Sequence, residues 1–570
     1  MKKLILVILI GYWSSSLKAQ NLLAIPDTLS GTNIQLDIID TSHTFYTGFT
    51  THTFGVNASY LGPTIILNKG DSVSFTVNNH LMDTTTIHWH GLHVGPQNDG
   101  GPHIFIPPST SWNPSFVIRN NAATYWYHPH MHMMTNLHAT LGAAGLIIIR
   151  DSIEASLDLP RTYGEDDFPL VVQSKSFDTN KQIIIGDAYD STMMVNGTVD
   201  AFLPVPAQVV RFRILNASSE RNYNFGLQGN MTFQQITSDG GLLDAPVPLT
   251  RLVLSPGERA EILVDFSGMN GQSIDFMSFS SEFPVAMYGA AQPGMGAGLT
   301  IPGYTSNALN GSDFRVMNFQ IISPTSNPVT SIPTSLTTNT AWPIGSAMAT
   351  KTLTFTPTVM GPTALQNPFL INNTSYDMMV MNYSIPLDNI EIWTLTNSSP
   401  IAHPFHIHDV HFYITEINGA APPLNKRGLK DVVLVPAQQT IKFITKFEDF
   451  CDPMYPYMYH CHMLTHEDDG MMGQFLVTCP ANQISEEDML SNSIEIFPNP
   501  STDLIHIKND SHEKIKSVNI YTIQGKCVAT YPGLTITDFN IEMSSMSRGT
   551  YIVAIEVGEI LIHKKINLIN

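Results

Sequence analysis

Cysteine, basic side chains and long apolar runs are all scarce in this chain of 570 residues. Only four cysteines occur, which is too few for a disulfide scaffold, so the stability must come from ordinary hydrophobic cores. Lysine and arginine together number 28 against 48 aspartates and glutamates, which gives a formal net charge of −20. That balance argues against a nucleic acid or an anionic membrane surface as a partner.

The one apolar run that suggests export lies at the N-terminus. Residues 1–19 have two lysines directly after the first methionine, then an apolar stretch, and end in a small residue, which is the pattern of a secretory signal peptide. No later stretch has the length and apolar character of a transmembrane helix. The mature protein is therefore expected to be exported. In an oxidising compartment Cys451 and Cys479 could pair, although their separation cannot be read from the sequence.

Long helical periods are also rare, and strand-like alternation with many Gly, Pro, Asn and Thr breaks dominates. Three segments align with one another, and each runs through an alternating strand to an asparagine, at Asn79, Asn216 and Asn397. Nine and eleven residues further on, the first and third copies have histidines, whereas the second copy has Phe225 and Leu227. A β unit is therefore repeated three times, and only its outer copies keep a His-x-His pair.

The ends of the two outer copies correspond as well, as YWYHPHMHMM and YMYHCHMLTH. Because alternate side chains of a strand share a face, the two histidines of each pair point the same way. A single pair of this kind is commonly a surface feature, but four at matched positions of two repeats predict a metal cluster between the outer domains. The pairs are His88 and His90, His128 and His130, His406 and His408, and His460 and His462.

A cysteine inside the last pair selects the metal. Imidazole suits copper, zinc, iron or nickel, so histidine alone does not choose. Cys461 points to the face opposite its two histidine neighbours. His466 and Met471 follow it in the same segment, and His403 comes from the HPFHIH stretch. A thiolate with two imidazoles and a distant thioether is the ligand set of a blue-copper electron-transfer site. The pattern predicts that an electron taken up at Cys461 passes along the backbone to the adjacent histidines.

The motifs HWHG, YHPH, HPFHIH and HCHMLTHEDDGMM resemble, in order and spacing, the four copper motifs of the three-domain multicopper oxidases, the laccase-like family. The similarity extends over residues 25–478 and includes LNASSERNY and LSPGERAEILVDF in the middle copy. It implies four copper ions per chain, one blue and mononuclear and three in a trinuclear cluster. It further implies that a reducing substrate gives up electrons singly at the blue copper and that the cluster reduces dioxygen to water.

The resemblance also distributes the ligands by motif position. The blue copper would be held by His403, Cys461, His466 and Met471. The single copper of the cluster would be held by His88 and His406, and its coupled pair by His90, His128, His130, His408, His460 and His462. Asp99 and Glu467 match carboxylates with a proton-supplying role in bacterial cuprous oxidases, so we expect both to be catalytic.

The reducing substrate is the open part of this prediction. A phenol or an aromatic amine would make the protein laccase-like, whereas Cu(I) would make it a metal-ion oxidase in copper tolerance. Asp377, Met378 and Asp431 lie near positions where cuprous oxidases bind substrate copper, so they are candidate substrate-binding residues. The long Met-rich helical insert of those enzymes is not evident here. A secreted copper-binding protein without turnover is a third interpretation, which the complete histidine set argues against.

The repeats also predict the domain organisation. After the signal peptide, residues 20–150, 151–322 and 343–480 are each expected to form a Greek-key β-sandwich of the cupredoxin type, the second without copper ligands. Residues 494–570 contain IEIFPNPSTDLIHI and SRGTYIVAI and resemble the C-terminal sorting domain of type IX secretion cargo. The predicted fold class is all-β with a fourth, small β-sandwich. The predicted route leads through the periplasm to secretion or surface attachment.

Overall fold

The structure is a computed structural model that describes residues 20–296, 298–480, 490, 493–511, 513–522, 526–534, 536–558 and 560–569. The predicted signal peptide lies outside the described residues. The chain divides into two compact units, one ending at Thr478 and the other beginning at Cys479. Within the described ranges, no helix has the length and apolar character needed to cross a bilayer.

Strands dominate the structure, so the prediction of an all-β chain is confirmed. The strand Ser72–Asn79 shows why the sequence alternates, because it buries every second side chain against a core. The α-helices of the described residues are short, at Thr135–Leu141, Ser152–Ala155 and Leu464–Asp468. Single 3₁₀ turns lie at Pro96–Asn98, Gln228–Asn230, Ser280–Glu282, Tyr304–Ser306, Ile344–Ser346, Ala364–Gln366 and Leu424–Lys426.

The first sandwich consists of two five-stranded sheets that share a core including Leu36, Ile65 and Trp89. One sheet has the strand order Thr28–Ser30, Thr64–Asn68, Gly145–Arg150, Ala123–His128 and His88–His90. The other contains Thr51–Val56, Asn33–His43, Ser72–Asn79, Ser111–Trp112 and Ser115–Val117. The strand that carries the first histidine pair is therefore at the edge of its sheet.

The middle sandwich packs a six-stranded sheet on an eight-stranded sheet around a core that includes Leu203, Phe212 and Phe319. The smaller sheet has the order Asn21–Leu22, Ala201–Pro206, Asp313–Ile322, Ser273–Phe279, Tyr223–Leu227 and Leu252–Leu254. The larger contains Thr198–Val199, Thr192–Val195, Asp167–Phe177, Val209–Asn216, Arg259–Asp265, Phe233–Ser238 and Gly241–Leu249, with Ile183–Ile184 on its side. The short N-terminal strand, predicted with the first domain, thus joins the middle sandwich, because its backbone pairs in parallel with Ala201–Pro206.

The third sandwich again has two five-stranded sheets, and its core includes Trp393, Phe405 and Cys461. One sheet has the order Phe369–Ile371, Ala349–Pro357, Ile390–Asn397, Thr440–Lys446 and Phe412–Ile417. The other has the order Tyr383–Pro386, Met472–Thr478, Tyr457–Cys461, His403–Ile407 and Val432–Val435.

The C-terminal unit has a core of its own that includes Ile505, Val518 and Val553. Its smaller sheet contains Ile494–Phe497, Leu504–Asn509 and Asp538–Glu542. Its larger sheet contains Cys527–Tyr531, Ile515–Thr522, Gly549–Val557 and Ile560–Leu568. The predicted small β domain after residue 494 is therefore present as a β structure.

The four cysteines fall into two groups. Cys451 and Cys479 are both disulfide-bonded. Cys461 is a buried free thiol, and Cys527 is an exposed one. The one buried thiol is therefore the cysteine for which the sequence predicts a metal.

A buried charge network holds the middle sandwich against the first. The Glu261 carboxylate accepts hydrogen bonds from Arg211 Nε at 2.9 Å, Arg213 NH1 at 2.7 Å and Thr124 Oγ1 at 2.7 Å. Burial alone would raise the pKa of Glu261, but the two guanidinium groups lower it below its ordinary value of 4.5. Its stabilising effect is therefore present above about pH 4.5 and is lost as the pH falls through the lowered folded-state pKa.

We expect Glu261→Gln to lower the free energy of unfolding by about 3 kcal/mol at neutral pH, because it leaves two buried cations short of a counter-charge. Denaturant unfolding followed by circular dichroism measures this loss, which should shrink towards acid pH. Glu282→Gln is the matched control, because its pair with Arg251 is largely exposed and should contribute less than about 1 kcal/mol. Equal losses in the two variants would contradict the network's role.

Candidate metal centre

The same strand pairing presents the histidines of both outer sandwiches. In the first, His88–His90 runs antiparallel to Ala123–His128, with His88 opposite His128. In the third, His403–Ile407 runs antiparallel to Tyr457–Cys461, with His406 opposite His460. The repeat found in the sequence therefore corresponds to one structural unit used twice.

Eight buried histidines from these strands and the loops after them form what we call the eight-histidine site: His88, His90, His128, His130, His406, His408, His460 and His462. Their ring nitrogens gather in groups whose members lie within 4.8 Å of one another. The groups are His90, His128 and His462; His130, His408 and His460; and His88, His90 and His406. The first two match the six predicted ligands of the coupled pair, and the third contains both predicted ligands of the single copper.

Ring nitrogens within the groups approach one another closely. His130 Nε2 lies 3.1 Å from His460 Nε2 and 3.2 Å from His408 Nε2. His128 Nε2 lies 3.4 Å from His90 Nδ1. Converging imidazole nitrogens of this kind are suited to share a cation.

The opposite nitrogen of several rings is held by a backbone carbonyl. His88 Nδ1 donates to Asp99 O at 2.9 Å, His406 Nδ1 to Asp431 O at 2.9 Å, and His128 Nδ1 to Pro129 O at 2.8 Å. A carbonyl oxygen can only accept, so each Nδ1 carries the hydrogen and each Nε2 keeps its lone pair. Such contacts fix the tautomer and orientation of metal ligands.

Several ring nitrogens of the site have no hydrogen-bond partner in the protein. His88 Nε2, His406 Nε2 and both ring nitrogens of His462 are buried without a hydrogen bond. Burial lowers the pKa of His130 and of His462 to about 3, so both rings are neutral at physiological pH. Buried polar atoms are normally satisfied, so this donor set fits metal ions.

The two predicted catalytic carboxylates both contact the eight-histidine site. Asp99 Oδ2 lies 2.8 Å from His408 Nδ1. Glu467 Oε2 lies 3.1 Å from His460 Nδ1, and its Oε1 lies 3.5 Å from His130 Nδ1. Both side chains are buried. The two carboxylates therefore contact different histidines of the site.

Asp431 does not belong to a substrate surface, and this prediction is corrected. The residue is fully buried, and its Oδ1 lies 3.2 Å from His90 Nε2. Arg259 donates to both of its carboxylate oxygens, at 2.5 and 2.6 Å. Although burial opposes it, this guanidinium holds the pKa of Asp431 well below its usual value. A substrate at the surface cannot reach such a side chain.

A second group, which we call the cysteine site, comprises His403, Cys461, His466 and Met471. Cys461 Sγ lies 3.5 Å from His403 Nδ1 and 3.7 Å from His466 Nδ1. Met471 is fully buried in the same core, and its carbonyl accepts from Cys461 N at 3.0 Å. His466 is partly exposed, whereas Cys461 and His403 are buried. A reductant in solution can therefore approach this site at His466.

The remaining candidates, Asp377 and Met378, lie in a loop beside the cysteine site. Tyr376 N donates to Gly470 O at 3.0 Å, and Gln474 Nε2 donates to Met378 O at 3.0 Å. The loop is thus attached to the segment that contains Met471, the predicted thioether ligand. Asp377 is exposed and Met378 is half-buried.

Comparison with family models gives the chain's relationship. Residues 38–154, 165–295 and 348–480 each match a model described as multicopper oxidase. Residues 495–569 match a model described as secretion system C-terminal sorting domain. The three matches fall on the three sandwiches, and the fourth falls on the C-terminal unit.

Similar proteins agree with this relationship. A multicopper oxidase of Staphylococcus haemolyticus is 31% identical over 444 residues, covering 76% of this chain and 86% of that protein. The cell division protein FtsP of Escherichia coli is 30% identical over 444 residues, covering 76% and 87%. A solved structure, the laccase-like multicopper oxidase CueO from Ochrobactrum sp., superposes with a TM-score of 0.70 at 32% identity, covering 80% of this chain and all of that one. The metallo-oxidase of Campylobacter jejuni gives 0.66 at 25%, covering 81% and 98%.

The chain belongs to the multicopper oxidase family. It is an oxidase with cupredoxin-like sandwiches, and its cofactor is copper, with which the histidine groups are consistent. It also carries a C-terminal sorting domain of secreted proteins.

The middle sandwich makes contacts with the metal centre that the sequence did not predict. Arg259 pairs with Asp431, and a Cβ at Gly257 would lie 2.9 Å from the His462 ring. Gly257 also has a φ of +83°, which favours glycine. Both residues lie in LSPGERAEILVDF, which the sequence linked to the family, but their partners are far away along the chain.

Proposed function

We propose that the protein is a secreted oxidase that takes single electrons from a phenol or an aromatic amine at His466 and reduces dioxygen to water at the eight-histidine site. The observation that carries this proposal is the pairing of one partly exposed histidine, His466, with a buried cysteine whose chain neighbours belong to the eight-histidine site. His403, Cys461, His466 and Met471 would hold the blue copper. His88 and His406 would hold the single copper of the cluster, and the other six histidines its coupled pair.

Copper, when bound, supplies one-electron redox chemistry at the cysteine site and the capacity for four-electron dioxygen reduction at the other. The protein's own part is connection and orientation. Cys461 is covalently joined to His460 on one side and to His462 on the other, so two short through-bond paths leave its sulfur. Burial of Cys461 and His403 excludes water from the start of both paths.

Asp99 and Glu467 are proposed to supply the protons that dioxygen reduction consumes. Asp99 Oδ1 is buried without a hydrogen-bond partner, and the Glu467 carboxylate lies beside the Nδ1 atoms of His460 and His130. Both carboxyl groups therefore lie next to histidines of the site, and a positioned carboxyl group is an effective proton donor. The two carboxylates touch different ring pairs, which supports delivery from two sides.

The partial exposure of the His466 side chain supports an organic reductant. The chain between Ile371 and Tyr383, beside the cysteine site, is described throughout and contains no helix. This loop therefore places no helix over His466. The Phe369 ring lies 4.7 Å from the His466 ring between centroids. An aromatic donor can pack against the exposed part of the His466 ring, which the buried Phe369 ring supports from inside.

A metal-ion substrate is the second candidate, and one observation favours it. In the same loop Met379 is 90% exposed, and its amide donates to the Asp377 carboxylate at 2.8 Å. A thioether beside a carboxylate is suited to a soft cation such as Cu(I). The metallo-oxidase of Campylobacter jejuni is among the similar structures.

We expect the copper-loaded protein to consume oxygen rapidly with a phenolic donor and without added copper. Asp377→Asn, Met378→Leu and Met379→Leu should each change phenol turnover less than about twofold, because surface substitutions away from the ligands perturb little. An oxygen electrode with phenol and Cu(I) side by side measures both activities.

Met82→Leu is the matched control, because Met82 is 87% exposed in the first sandwich. Two results together would establish the metal-ion function instead. Phenol would be turned over only with excess Cu(II), and the KM for Cu(I) would rise in the three loop variants but not in Met82→Leu. Copper binding without oxygen consumption from any donor would establish a non-catalytic copper-binding protein.

The sorting domain and the N-terminal signal pattern support export through the periplasm. We propose that the type IX secretion machinery recognises the C-terminal unit and that the mature enzyme is released or attached at the cell surface. Deleting residues 494–570 should retain the protein in the periplasm, which cell fractionation detects.

A further inference from the structure

The middle sandwich holds none of the proposed copper ligands, yet its turn 255–259 reaches the eight-histidine site. Arg259 is fully buried and makes contacts in all three sandwiches. Its Nε donates to Thr124 O of the first at 3.1 Å, and its NH2 donates to Asp239 O of the middle at 3.0 Å. Both terminal nitrogens bind the Asp431 carboxylate of the third.

Asp431 is where these contacts meet the proposed ligands. Its side chain accepts from His90 Nε2 at 3.2 Å, and its backbone carbonyl accepts from His406 Nδ1 at 2.9 Å. His90 is a proposed ligand of the coupled pair, and His406 of the single copper. One aspartate thus orients a ligand of each kind, and Arg259 fixes that aspartate in a bidentate pair, the most directional geometry available to a carboxylate.

The residue before Asp431 is held by the middle sandwich as well. Lys430 Nζ lies 2.8 Å from an Asp239 carboxylate oxygen and 3.1 Å from one of Glu258. The consecutive residues Lys430 and Asp431 of the third sandwich therefore face Arg259, Asp239 and Glu258 of the middle one. The charges alternate, so a shift of either sandwich would place like charges together.

We propose that Arg259 is a positioning residue for the trinuclear copper cluster, through which the ligand-free middle sandwich sets the orientation of His90 and His406. The inference rests on the proposed ligand assignment. It explains why a sandwich without ligands is needed at the metal centre. The turn that carries Arg259 also carries Gly257, whose missing side chain leaves room for the His462 ring.

The test is Arg259→Lys in the full-length, copper-loaded protein. Lysine keeps the charge but cannot make the bidentate pair. We expect the blue colour of the cysteine site to be unchanged. The copper content should fall below four per chain, or the coupled copper pair, which is silent in electron paramagnetic resonance, should become detectable. In either case oxygen turnover should fall at least tenfold.

Arg211→Lys is the matched control, because Arg211 is equally buried in the middle sandwich and pairs with Glu154 and Glu261 rather than with Asp431. It should lose comparable stability and keep the four-copper spectrum. If Arg259→Lys kept four coppers and the wild-type resonance spectrum, the positioning role would be overturned. A wild-type protein that bound no trinuclear copper would overturn the ligand assignment instead.

Should Arg259→Lys not fold, Asp431→Asn decides the question. The amide oxygen can still accept from His90, but the charged pair with Arg259 is lost. Altered resonance of the cluster with the blue colour retained supports the inference, and an unaltered spectrum overturns it.

Discussion

Serine in place of Cys461 is expected to abolish both the blue colour and the oxidation of every one-electron donor. The hydroxyl is not a soft thiolate ligand, so a blue-copper site cannot form. The eight-histidine site should still bind copper, because the sulfur lies in the core of the third sandwich with His403 and His466 and is not part of the histidine groups. Copper analysis, visible absorption and oxygen consumption with a phenol measure the three consequences.

Cys527→Ser is the matched control for this prediction. Cys527 is the other free thiol of the described residues, but it is exposed and belongs to the C-terminal unit. Its replacement should leave colour, copper content and turnover at wild-type values. Residual blue absorption in Cys461→Ser would show that electrons enter at another site. Wild-type turnover in a Cys461→Ser protein that has lost the blue absorption would show the same.

Glu467→Gln and Asp99→Asn are expected to slow dioxygen reduction by roughly 10²-fold or more, because each removes a positioned proton donor. Neither residue belongs to the cysteine site, so the blue colour should persist. Rapid mixing of the fully reduced protein with dioxygen measures the step directly. Electron uptake from a phenol under anaerobic conditions should stay near the wild-type rate.

Glu220→Gln is the control variant here. The Glu220 carboxylate accepts from Thr465 Oγ1, two residues before Glu467, but makes no described contact with the eight histidines. Its reoxidation rate should equal that of the wild type. Loss of blue colour in Glu467→Gln or Asp99→Asn would instead indicate a role in folding or in holding the ligands.

The sequence contained the ligand pattern because the pattern is local. A His-x-His pair needs only strand alternation, and the matched offsets after Asn79 and Asn397 were enough to predict that two repeats share one site. The contrast between Cys461 and its neighbours followed from the same alternation. All of these features depend on spacings of a few residues.

The rest of the site depends on contacts between distant residues, which one sequence does not reveal. Asp431 lies within GLKDVV, where the resemblance to a substrate-copper position of the cuprous oxidases suggested a substrate role. Its partners His90 and Arg259 are 341 and 172 residues away along the chain. The role of Arg259 could not be predicted for the same reason. The pairing of the short strand Asn21–Leu22 with the middle sandwich also could not be predicted, because a two-residue strand has no alternation to read.

All three histidine groups combine side chains of both outer sandwiches, and this determines when the site can be completed during synthesis. His130 and His460 are separated by 330 residues, yet their nitrogens lie 3.1 Å apart. Neither outer sandwich alone carries a full complement of donors, so a nascent chain offers no finished cluster until residue 462 has been synthesised and docked. Metal insertion must therefore be among the last steps of maturation, and it belongs in the compartment where the exported chain folds.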